Sequence, residues 1–254
     1  MSLEGRIALV TGGGRGIGRA IALALAEDGA DVAVNYRRDR EAAIETVTSI
    51  EKLGRRAHAY QAAVASHDED EAMVAEIAAD FGPVDILVNN AGMASRGQTV
   101  EQSDPSEPER VVSLHGFAPF YLSRLVLPGM RSRARGDIVM ISSAYTRLLP
   151  PNSAPYSMGK AAMEALAATL AKEVAADGIR VNIVAPGLVV TDMGSRLVKA
   201  TKGIDDIRDL DEESPFGRVC RAEDVANVVR YLVSEGSGYL TGQRLYVDGA
   251  GSFG

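Results

Sequence analysis

The chain has 254 residues, of which 46% are hydrophobic, and its 34 acidic and 27 basic side chains leave a net charge of −7 at pH 7. This length predicts a large buried core, and the acidic balance argues against sequence-independent binding of nucleic acid or of an anionic membrane. The single cysteine, Cys220, excludes an intrachain disulfide and a cysteine-based zinc site, and three histidines without ligand spacing favour no metal site.

The sequence carries no targeting or membrane segment that we recognise. No apolar run reaches the roughly 18 residues that suggest a membrane-spanning helix. The amino terminus lacks the charged, apolar and cleavage regions of a signal peptide. We therefore expect a cytoplasmic protein that binds neither membranes nor nucleic acids.

Short aliphatic runs alternate with alanine-rich stretches of helical period along the whole chain. The predicted strands are Ile7–Val10, Val32–Asn35, His58–Ala62, Ile86–Val88, Asp137–Ile141, Arg180–Val184 and Arg244–Val247. The predicted helices are Gly18–Asp28, Arg40–Leu53, Asp68–Phe81, Glu109–Met130, Tyr156–Asp177 and Ala222–Val233. This alternation predicts an α/β fold with one doubly wound parallel sheet (a Rossmann fold) of about seven strands, helices on both faces, and a single domain over residues 1–254.

Two longer stretches lack this pattern. Met93–Pro108 is polar and contains prolines, and Met193–Arg218 separates the sixth strand from the last helix. Loops of this length in a compact domain are usually functional. Because both follow strands, we expect them to line a substrate cleft at the carboxyl edge of the sheet, with the substrate loop at about residues 193–218.

A glycine-rich loop follows the first strand and opens the first helix. It runs from Thr11 to Gly18 (TGGGRGIG), with Gly12, Gly16 and Gly18 spaced G-x-x-x-G-x-G. Glycines at such a turn let the backbone approach a pyrophosphate, and the following helix supplies N–H donors. No G-K-[ST] follows, so the loop is not a P-loop. The order strand, loop and helix predicts a dinucleotide site.

The residues after the second strand bear on the choice of cofactor. An acid at this position would bind the ribose 2′-hydroxyl of NAD, but the chain reads Asn35-Tyr36-Arg37-Arg38. Together with Arg15 in the glycine loop, these guanidinium groups can hold a 2′-phosphate. The sequence therefore favours NADP(H), with NAD(H) as the alternative.

A tyrosine and a lysine occur four residues apart in a predicted helix, at Tyr156 and Lys160. Positions i and i+4 share a helix face. An ammonium group beside a phenol is expected to lower the pKa of the phenol, which makes Tyr156 a candidate general acid or base for a carbonyl/alcohol pair. Ser142 and Ser143, at the end of the preceding strand, offer hydroxyl groups that can orient a substrate oxygen.

Taken together, these motifs resemble the short-chain dehydrogenase/reductase family over nearly the whole chain. The matching segments are TGGGRGIG (Thr11–Gly18), NNAG (Asn89–Gly92), Ser143, Tyr156, Lys160, PGLVVT (Pro186–Thr191), YLTGQ (Tyr239–Gln243) and VDGA (Val247–Ala250). Within the family, the chain is most similar to the 3-oxoacyl-carrier-protein reductase type and to related sugar or alcohol dehydrogenases.

The resemblance implies roles for individual residues. Ser143, Tyr156, Lys160 and His115 would be catalytic, with Ser143 on the reacting oxygen, Tyr156 exchanging its proton, and Lys160 also contacting the nicotinamide ribose. The residues implied in cofactor binding are Gly12, Arg15, Gly16, Ile17, Gly18, Tyr36, Arg37, Arg38, Val64, Asn89, Ala91, Gly92, Tyr156, Lys160, Pro186, Gly187, Val189 and Thr191.

The chain departs from the family pattern at three places. His115 stands where the family has a helical asparagine that helps to hold a water in the proton relay; a histidine there would keep the backbone geometry, add its own titration near neutral pH, or disrupt the relay. Ala63 replaces the acid that contacts adenine. Asp177 replaces a basic residue suited to acyl-carrier protein, although Arg131, Arg133 and Arg135 offer another basic patch.

We therefore expect an NADP(H)-dependent oxidoreductase that interconverts a ketone and a secondary alcohol. This oxidoreductase would be a 3-oxoacyl thioester reductase or, alternatively, a sugar, polyol or other alcohol dehydrogenase. A nucleotide-binding regulatory protein with weak or no catalysis is the alternative from another class. Small residues on the helix after Tyr156 predict a homo-oligomer, a tetramer or a dimer, as the resemblance also implies.

Overall fold

The computed structural model describes residues 2–251, so Met1 and residues 252–254 of the predicted domain lie outside the described residues. Within this range a single parallel sheet of seven strands has the order β3-β2-β1-β4-β5-β6-β7. The strands are β1 (Ile7–Val10), β2 (Asp31–Tyr36), β3 (Ala57–Gln61), β4 (Ile86–Asn89), β5 (Gly136–Ile141), β6 (Ile179–Pro186) and β7 (Arg244–Val247). The predicted fold class is confirmed, and all seven predicted strands are present.

The helices connect consecutive strands and cover both faces of the sheet. They are α1 (Gly16–Glu27), α2 (Arg40–Glu51), α3 (His67–Asp80), α4 (Ser106–Val112), α5 (Ala118–Met130), α6 (Tyr145–Leu148), α7 (Ala154–Val174), α8 (Asp192–Lys202) and α9 (Ala222–Leu232). One apolar layer packs α1, α2 and α9 on the sheet, and the other packs α3, α5 and α7. Since both faces are covered, the inner strands are buried and mostly apolar.

The order of the strands in the sheet reverses at β1. Strand β1 pairs with β2 on one side and with β4 on the other, so the strand order reverses there. In open α/β sheets a ligand crevice forms outside the carboxyl ends of the strands at such a reversal. The glycine loop after β1 lies at this point.

The predicted helix Glu109–Met130 is present, but it begins earlier and is not a regular α-helix throughout. Helix α4 begins at Ser106, inside the predicted loop Met93–Pro108, and a π-helical turn, Ser113–Phe117, joins α4 to α5. The π-helical turn packs closely on α7: a Cβ at Gly116 would lie 3.1 Å from Ala162 Cβ. Such turns are often found at functional sites, and this one contains His115.

The region Met193–Arg218, which was predicted to be irregular, contains helical structure. It contains α8 and a 3₁₀ turn, Ile207–Leu210. Thr191 caps α8 by accepting a bond from the Gly194 N–H at 3.1 Å, and Gly203 ends the helix with a φ of +71°. Val198 on α8 packs on Leu210 in a small apolar cluster apart from the two main layers. Helix α8 is mostly polar, with few apolar residues to mark it as an element of the core.

No helix in the described part of the chain is long and apolar enough to cross a bilayer.

Candidate active site

Two asparagines outside the predicted site hold the glycine loop in place. Asn35, at the end of β2, accepts the Gly12 N–H at 3.2 Å through its side chain and the Gly13 N–H at 2.9 Å through its backbone carbonyl. Asn90, after β4, donates from Nδ2 to the carbonyl oxygen of Thr11 at 2.8 Å. Both contacts join residues far apart in sequence, so sequence reasoning missed them.

The predicted glycines meet their neighbours at close range. A Cβ at Gly18 would lie 2.3 Å from the Gly12 carbonyl oxygen, and one at Gly12 would lie 3.2 Å from Ala91 Cα. Gly12 and Gly16 have φ angles of +61° and +53°, the left-handed region that glycine tolerates best. The loop therefore has the shape of a tight cradle that side chains would fill.

The start of α1 leaves backbone donors without a side-chain cap. Arg15 occupies the capping position, and its side chain makes no capping hydrogen bond. An uncapped helix N-terminus offers N–H groups and a positive dipole end to an anion. Arg15 is exposed and lies 3.9 Å from Asp39 and 4.0 Å from Asp192. Ile17 is half-buried beside the core layer of α1.

Arg37 and Arg38, which are predicted to bind the adenosine half of the cofactor, are exposed just beyond the end of β2. Tyr36 is instead packed in the core layer, and Val64 is also buried. Asn89 is buried, and its amide contacts Met140 Sδ at 3.3 Å. The Asn89 side chain thus packs inside the sheet, and Asn90 next to it braces the glycine loop.

The PGLVVT segment returns to the glycine loop from β6. A Cβ at Gly16 would lie 3.3 Å from Thr191 Cγ2. Pro186 ends β6, Gly187 approaches Asp248, and Val189 is buried and bridges to Cys220. The fold therefore brings the glycine loop, the segment after β4 and the segment after β6 to one edge of the sheet.

Ser143, Tyr156 and Lys160 meet where the end of β5 faces the first turns of α7. The Tyr156 side chain forms a hydrogen bond with Ser143. Lys160 is buried, donates from Nζ to the Ile141 carbonyl oxygen at 2.7 Å, and lies 5.8 Å from the centre of the Tyr156 ring. The predicted i, i+4 arrangement therefore does place the phenol and the ammonium group side by side.

Burial determines the charges of this pair. It raises the pKa of Tyr156 to about 12, although the bond with Ser143 acts to lower it. Burial also lowers the pKa of Lys160 to about 7, against the opposing charge of Glu164. The expectation that the lysine lowers the tyrosine pKa is not met in this environment, because desolvation of the phenolate outweighs the stabilising contacts.

His115 lies in a narrow slot beside the pair. Its ring is 5.2 Å from the Tyr156 ring, edge to face, and a Cβ at Gly92 would lie 2.8 Å from its Cε1. Nε2 lies 2.8 Å from the Met93 carbonyl oxygen and 3.3 Å from the Met93 backbone nitrogen; it donates to the oxygen in one tautomer and accepts from the N–H in the other. Burial, and then the charge of Lys160, lower the pKa of His115 to about 3, so the ring is neutral at pH 7 and adds no titration of its own near neutrality.

Tyr145 is a further member of the group that sequence reasoning missed. It lies on α6, its ring is 5.7 Å from that of Tyr156, and its backbone N–H donates to Ser143 Oγ at 3.3 Å. The Tyr156 ring thus contacts two other aromatic rings, those of His115 and Tyr145. Tyr145 stands two residues after Ser143 in the sequence, but only the turn into α6 brings it against α7.

Each arginine of the predicted basic patch pairs with a carboxylate. Arg131 pairs with Asp177 at 2.7 Å, Arg133 with Asp85 at 2.7 Å, and Arg135 with Asp137 at 3.0 Å. Asp85 and Asp137 lie at the amino ends of β4 and β5, at the edge of the sheet opposite Ser143. Asp137 also pairs with Arg6 at 2.8 Å and with Arg180 at 2.6 Å, so four arginines surround the two carboxylates Asp85 and Asp137. Residues 2–251 contain no group of three side chains that could hold a metal ion.

Comparisons with known proteins agree on one family. The family model described as enoyl-(acyl carrier protein) reductase matches residues 12–251. The 3-oxoacyl-[acyl-carrier-protein] reductase FabG of Staphylococcus epidermidis is 39% identical over 243 residues, which is 95% of this chain and 97% of the relative.

Solved structures show the same likeness. The angucycline C-6 ketoreductase LanV with bound NADP is 35% identical, with a TM-score of 0.89 over 100% of this chain and 98% of that one. A dehydrogenase/reductase from Sinorhizobium meliloti is 33% identical, with a TM-score of 0.89 over 100% of this chain and 97% of that one. On its sequence, its fold and its glycine loop, this chain is an oxidoreductase of the short-chain dehydrogenase/reductase family.

Proposed function

We propose that the chain is an NADP(H)-dependent oxidoreductase that interconverts a ketone and a secondary alcohol, with Tyr156 as general acid and base. The observation that carries the proposal is the cluster at the end of β5, where the Tyr156 hydroxyl bonds with Ser143 and the buried Lys160 lies beside its ring. The reduction of a carbonyl needs a proton donor and an oxygen anchor on one side of a hydride donor, and these residues supply the first two.

The residues at the carboxyl edge fit a dinucleotide. Gly12, Gly16 and the uncapped start of α1 form a cradle in which a side chain would occupy the space a pyrophosphate needs. Arg15, Arg37 and Arg38 would hold a 2′-phosphate, and none of them is used in the core. The ketoreductase LanV, described with bound NADP, supports the same choice. Ala91, Gly92, Val189 and Thr191 would line the remainder of the site.

Each residue of the cluster has a distinct task. With a pKa of about 12, Tyr156 holds its proton at neutral pH and can donate it to a carbonyl oxygen. Ser143 would hold that oxygen by a hydrogen bond. Lys160 would favour the phenolate as it forms, because an ammonium group stabilises a nearby negative charge. NADPH, when bound, supplies the hydride.

His115 is proposed to position this cluster and to remain neutral. Its ring packs edge-on against Tyr156, and its Nε2 is occupied by Met93. Its Nδ1 is buried and has no hydrogen-bond partner in the described structure. In the tautomer that donates to Met93, Nδ1 is an acceptor, so His115 can take part in a relay as an acceptor and not as a charge carrier.

The substrate class is proposed from the relatives. Similarity to FabG favours a 3-oxoacyl thioester, for which acyl-carrier protein would be the partner. Similarity to a C-6 ketoreductase favours other small ketones. We also propose a cytoplasmic homo-oligomer, a tetramer or a dimer, formed through the helices after β4 and β5.

The test measures cofactor binding and carbonyl reduction in the same preparation. Calorimetric titration with NADPH and NADH gives the two affinities, and loss of NADPH absorbance with an acetoacetyl thioester of N-acetylcysteamine gives turnover. Tyr156→Phe should retain NADPH binding and lose at least about a hundredfold in kcat, since general acid catalysis contributes about 10²–10⁴-fold.

Tyr239→Phe is the matched control, because Tyr239 is a fully exposed tyrosine. It should leave both quantities unchanged. Tighter binding of NADH than of NADPH would refute the role of the arginines. Tight NADPH binding without reduction of any small ketone would refute the enzyme and favour a nucleotide-binding regulatory protein.

A further inference from the structure

Glu164 lies on α7 one turn beyond Lys160 and joins four elements around Ser143. Its Oε1 accepts hydrogen bonds from Ser142 Oγ at 2.6 Å and from Thr146 Oγ1 at 2.8 Å. Its Oε2 pairs with Arg244 of β7 at 2.5 Å. Only 10% of the Glu164 side chain is exposed. No motif discussed above includes this residue, so a nearly buried carboxylate remains without an assigned task.

The contacts of Glu164 continue a series along one face of α7. Tyr156, Lys160 and Glu164 are spaced four residues apart and share that face. Tyr156 bonds with Ser143, Lys160 with the carbonyl of Ile141, and Glu164 with the hydroxyl of Ser142. One helix face thus holds three consecutive residues at the end of β5.

Glu164 also fixes the turn that follows Ser143. Thr146 donates its hydroxyl both to Glu164 and to the Ser143 carbonyl oxygen, the latter at 2.9 Å. Ser142 and Thr146 therefore stand on the two sides of Ser143 and are tied to the same carboxylate. Without it, the Ser142 hydroxyl loses its acceptor, the Thr146 hydroxyl keeps only the Ser143 carbonyl oxygen, and the backbone on both sides of Ser143 loses a tether.

Few titratable groups face Lys160 in the described part of the chain. Tyr156 and Glu164 face it from α7, and His115 faces it from the π-helical turn. Strand β5 contributes only the Ile141 carbonyl, while Tyr145 of α6 reaches the pair through Tyr156. Since His115 is neutral and Tyr156 is protonated near pH 7, Glu164 is the nearby negative charge, and Arg244 of β7 partly neutralises it.

We propose that Glu164 is a positioning residue that holds the strand end carrying Ser143 and favours the charged form of Lys160. The effect of Glu164 on turnover rests on the proposed ketone reduction. Its effects on the strand end and on the titration of Lys160 do not. In chemical terms, Glu164 receives no proton and touches no substrate. It acts through Ser142, Thr146 and Lys160.

The test follows the titration of Lys160 directly. The chain contains five lysines, so [¹³Cε]lysine labelling yields a small set of NMR signals, and Lys160→Arg identifies the signal of Lys160. In Glu164→Gln the titration midpoint should fall by about one pH unit, because an opposite charge at close range is lost while the amide oxygen still accepts from the hydroxyls. Arg244→Gln should raise the midpoint, because the carboxylate is then no longer neutralised.

Glu173→Gln is the matched control, since Glu173 is an exposed carboxylate farther along the same helix. It should leave the midpoint unchanged. Shifts in opposite directions for Glu164→Gln and Arg244→Gln are a result that a general loosening of the fold does not produce. An unchanged Lys160 midpoint in both folded variants overturns the inference.

Kinetics separate this inference from the proposed function. In Glu164→Gln, the fall of NADPH-dependent ketone reduction with rising pH should move to lower pH by the same amount as the Lys160 titration, with the NADPH affinity unchanged. Glu164→Ala, which also removes the acceptor, should lose about tenfold more in kcat than Glu164→Gln, on the scale of an unsatisfied buried hydroxyl pair. A wild-type protein that reduces no ketone while its Lys160 signal shifts as described refutes the reaction and supports the link between Glu164 and Lys160.

Discussion

Asp70 lies on the buried face of α3, beside Met73 and Ile77, and its side chain is fully shielded from solvent. Neither carboxyl oxygen has a hydrogen-bond partner in the described part of the chain. Burial, together with the charge of Glu69, raises the pKa of Asp70 to about 8. The folded protein therefore holds a proton on Asp70 at pH values where the unfolded chain releases it.

The sign and size of the effect follow from proton linkage. A carboxyl group whose folded pKa is raised contributes its full stability below the unfolded pKa of about 4 and loses it as the pH rises through the folded pKa of about 8. Each pH unit in this window corresponds to about 1.4 kcal/mol. From pH 5 to pH 7, the wild-type protein should lose about 2.5 kcal/mol of unfolding free energy relative to Asp70→Asn.

Urea denaturation followed by circular dichroism at pH 5, 6 and 7 measures this difference. Asn has the shape of the protonated acid and does not titrate, so all other ionisable groups cancel in the comparison. Asp68→Asn is the matched control, because Asp68 lies on the first turn of the same helix and is exposed. A wild-type minus Asp70→Asn difference that stays constant over the three pH values would show that Asp70 is ionised in the folded protein.

Three further predictions concern the cofactor and catalytic sites. Gly18→Ala should destabilise the protein by about 1–3 kcal/mol and weaken NADPH binding, because the added Cβ would lie 2.3 Å from a carbonyl oxygen. Thermal unfolding measures the first effect and calorimetry the second. Gly251→Ala is the control and should change neither, because Gly251 has open space around it. His115→Asn should fold and lower kcat severalfold; a rise of more than tenfold would identify the histidine as a handicap. Arg37→Ala together with Arg38→Ala should weaken NADPH binding about 10–100-fold and leave NADH binding unchanged, and equal losses for both cofactors would contradict a 2′-phosphate clamp.

Local sequence patterns were enough to predict the fold and the main candidate residues. Strand and helix periods depend on neighbours within a few residues, so the alternating pattern predicted all seven strands and the doubly wound sheet. The spacing of Tyr156 and Lys160 is likewise local, because a helix places positions i and i+4 on one face. The glycine loop is a continuous segment, and its position after β1 was readable in the same way.

Tertiary contacts determined the features that the sequence did not reveal. The π-helical turn around His115 depends on the close approach of α7, and α8 is fixed by packing against the 3₁₀ turn after it. Asn35 and Asn90 act on the glycine loop from two other strands. Such contacts have no signature in a single sequence because their partners lie tens of residues apart.

The charges of the site also required the folded structure. From sequence, a lysine beside Tyr156 predicts a lowered tyrosine pKa, yet burial of both groups raises the pKa of Tyr156 and lowers that of Lys160. Desolvation depends on every atom that excludes water from a group, whereas a motif names only its partners. The sequence alone therefore determined that Ser143, Tyr156 and Lys160 meet at the end of β5. The tertiary structure added Tyr145 and Glu164 to this group and decided the protonation of its members.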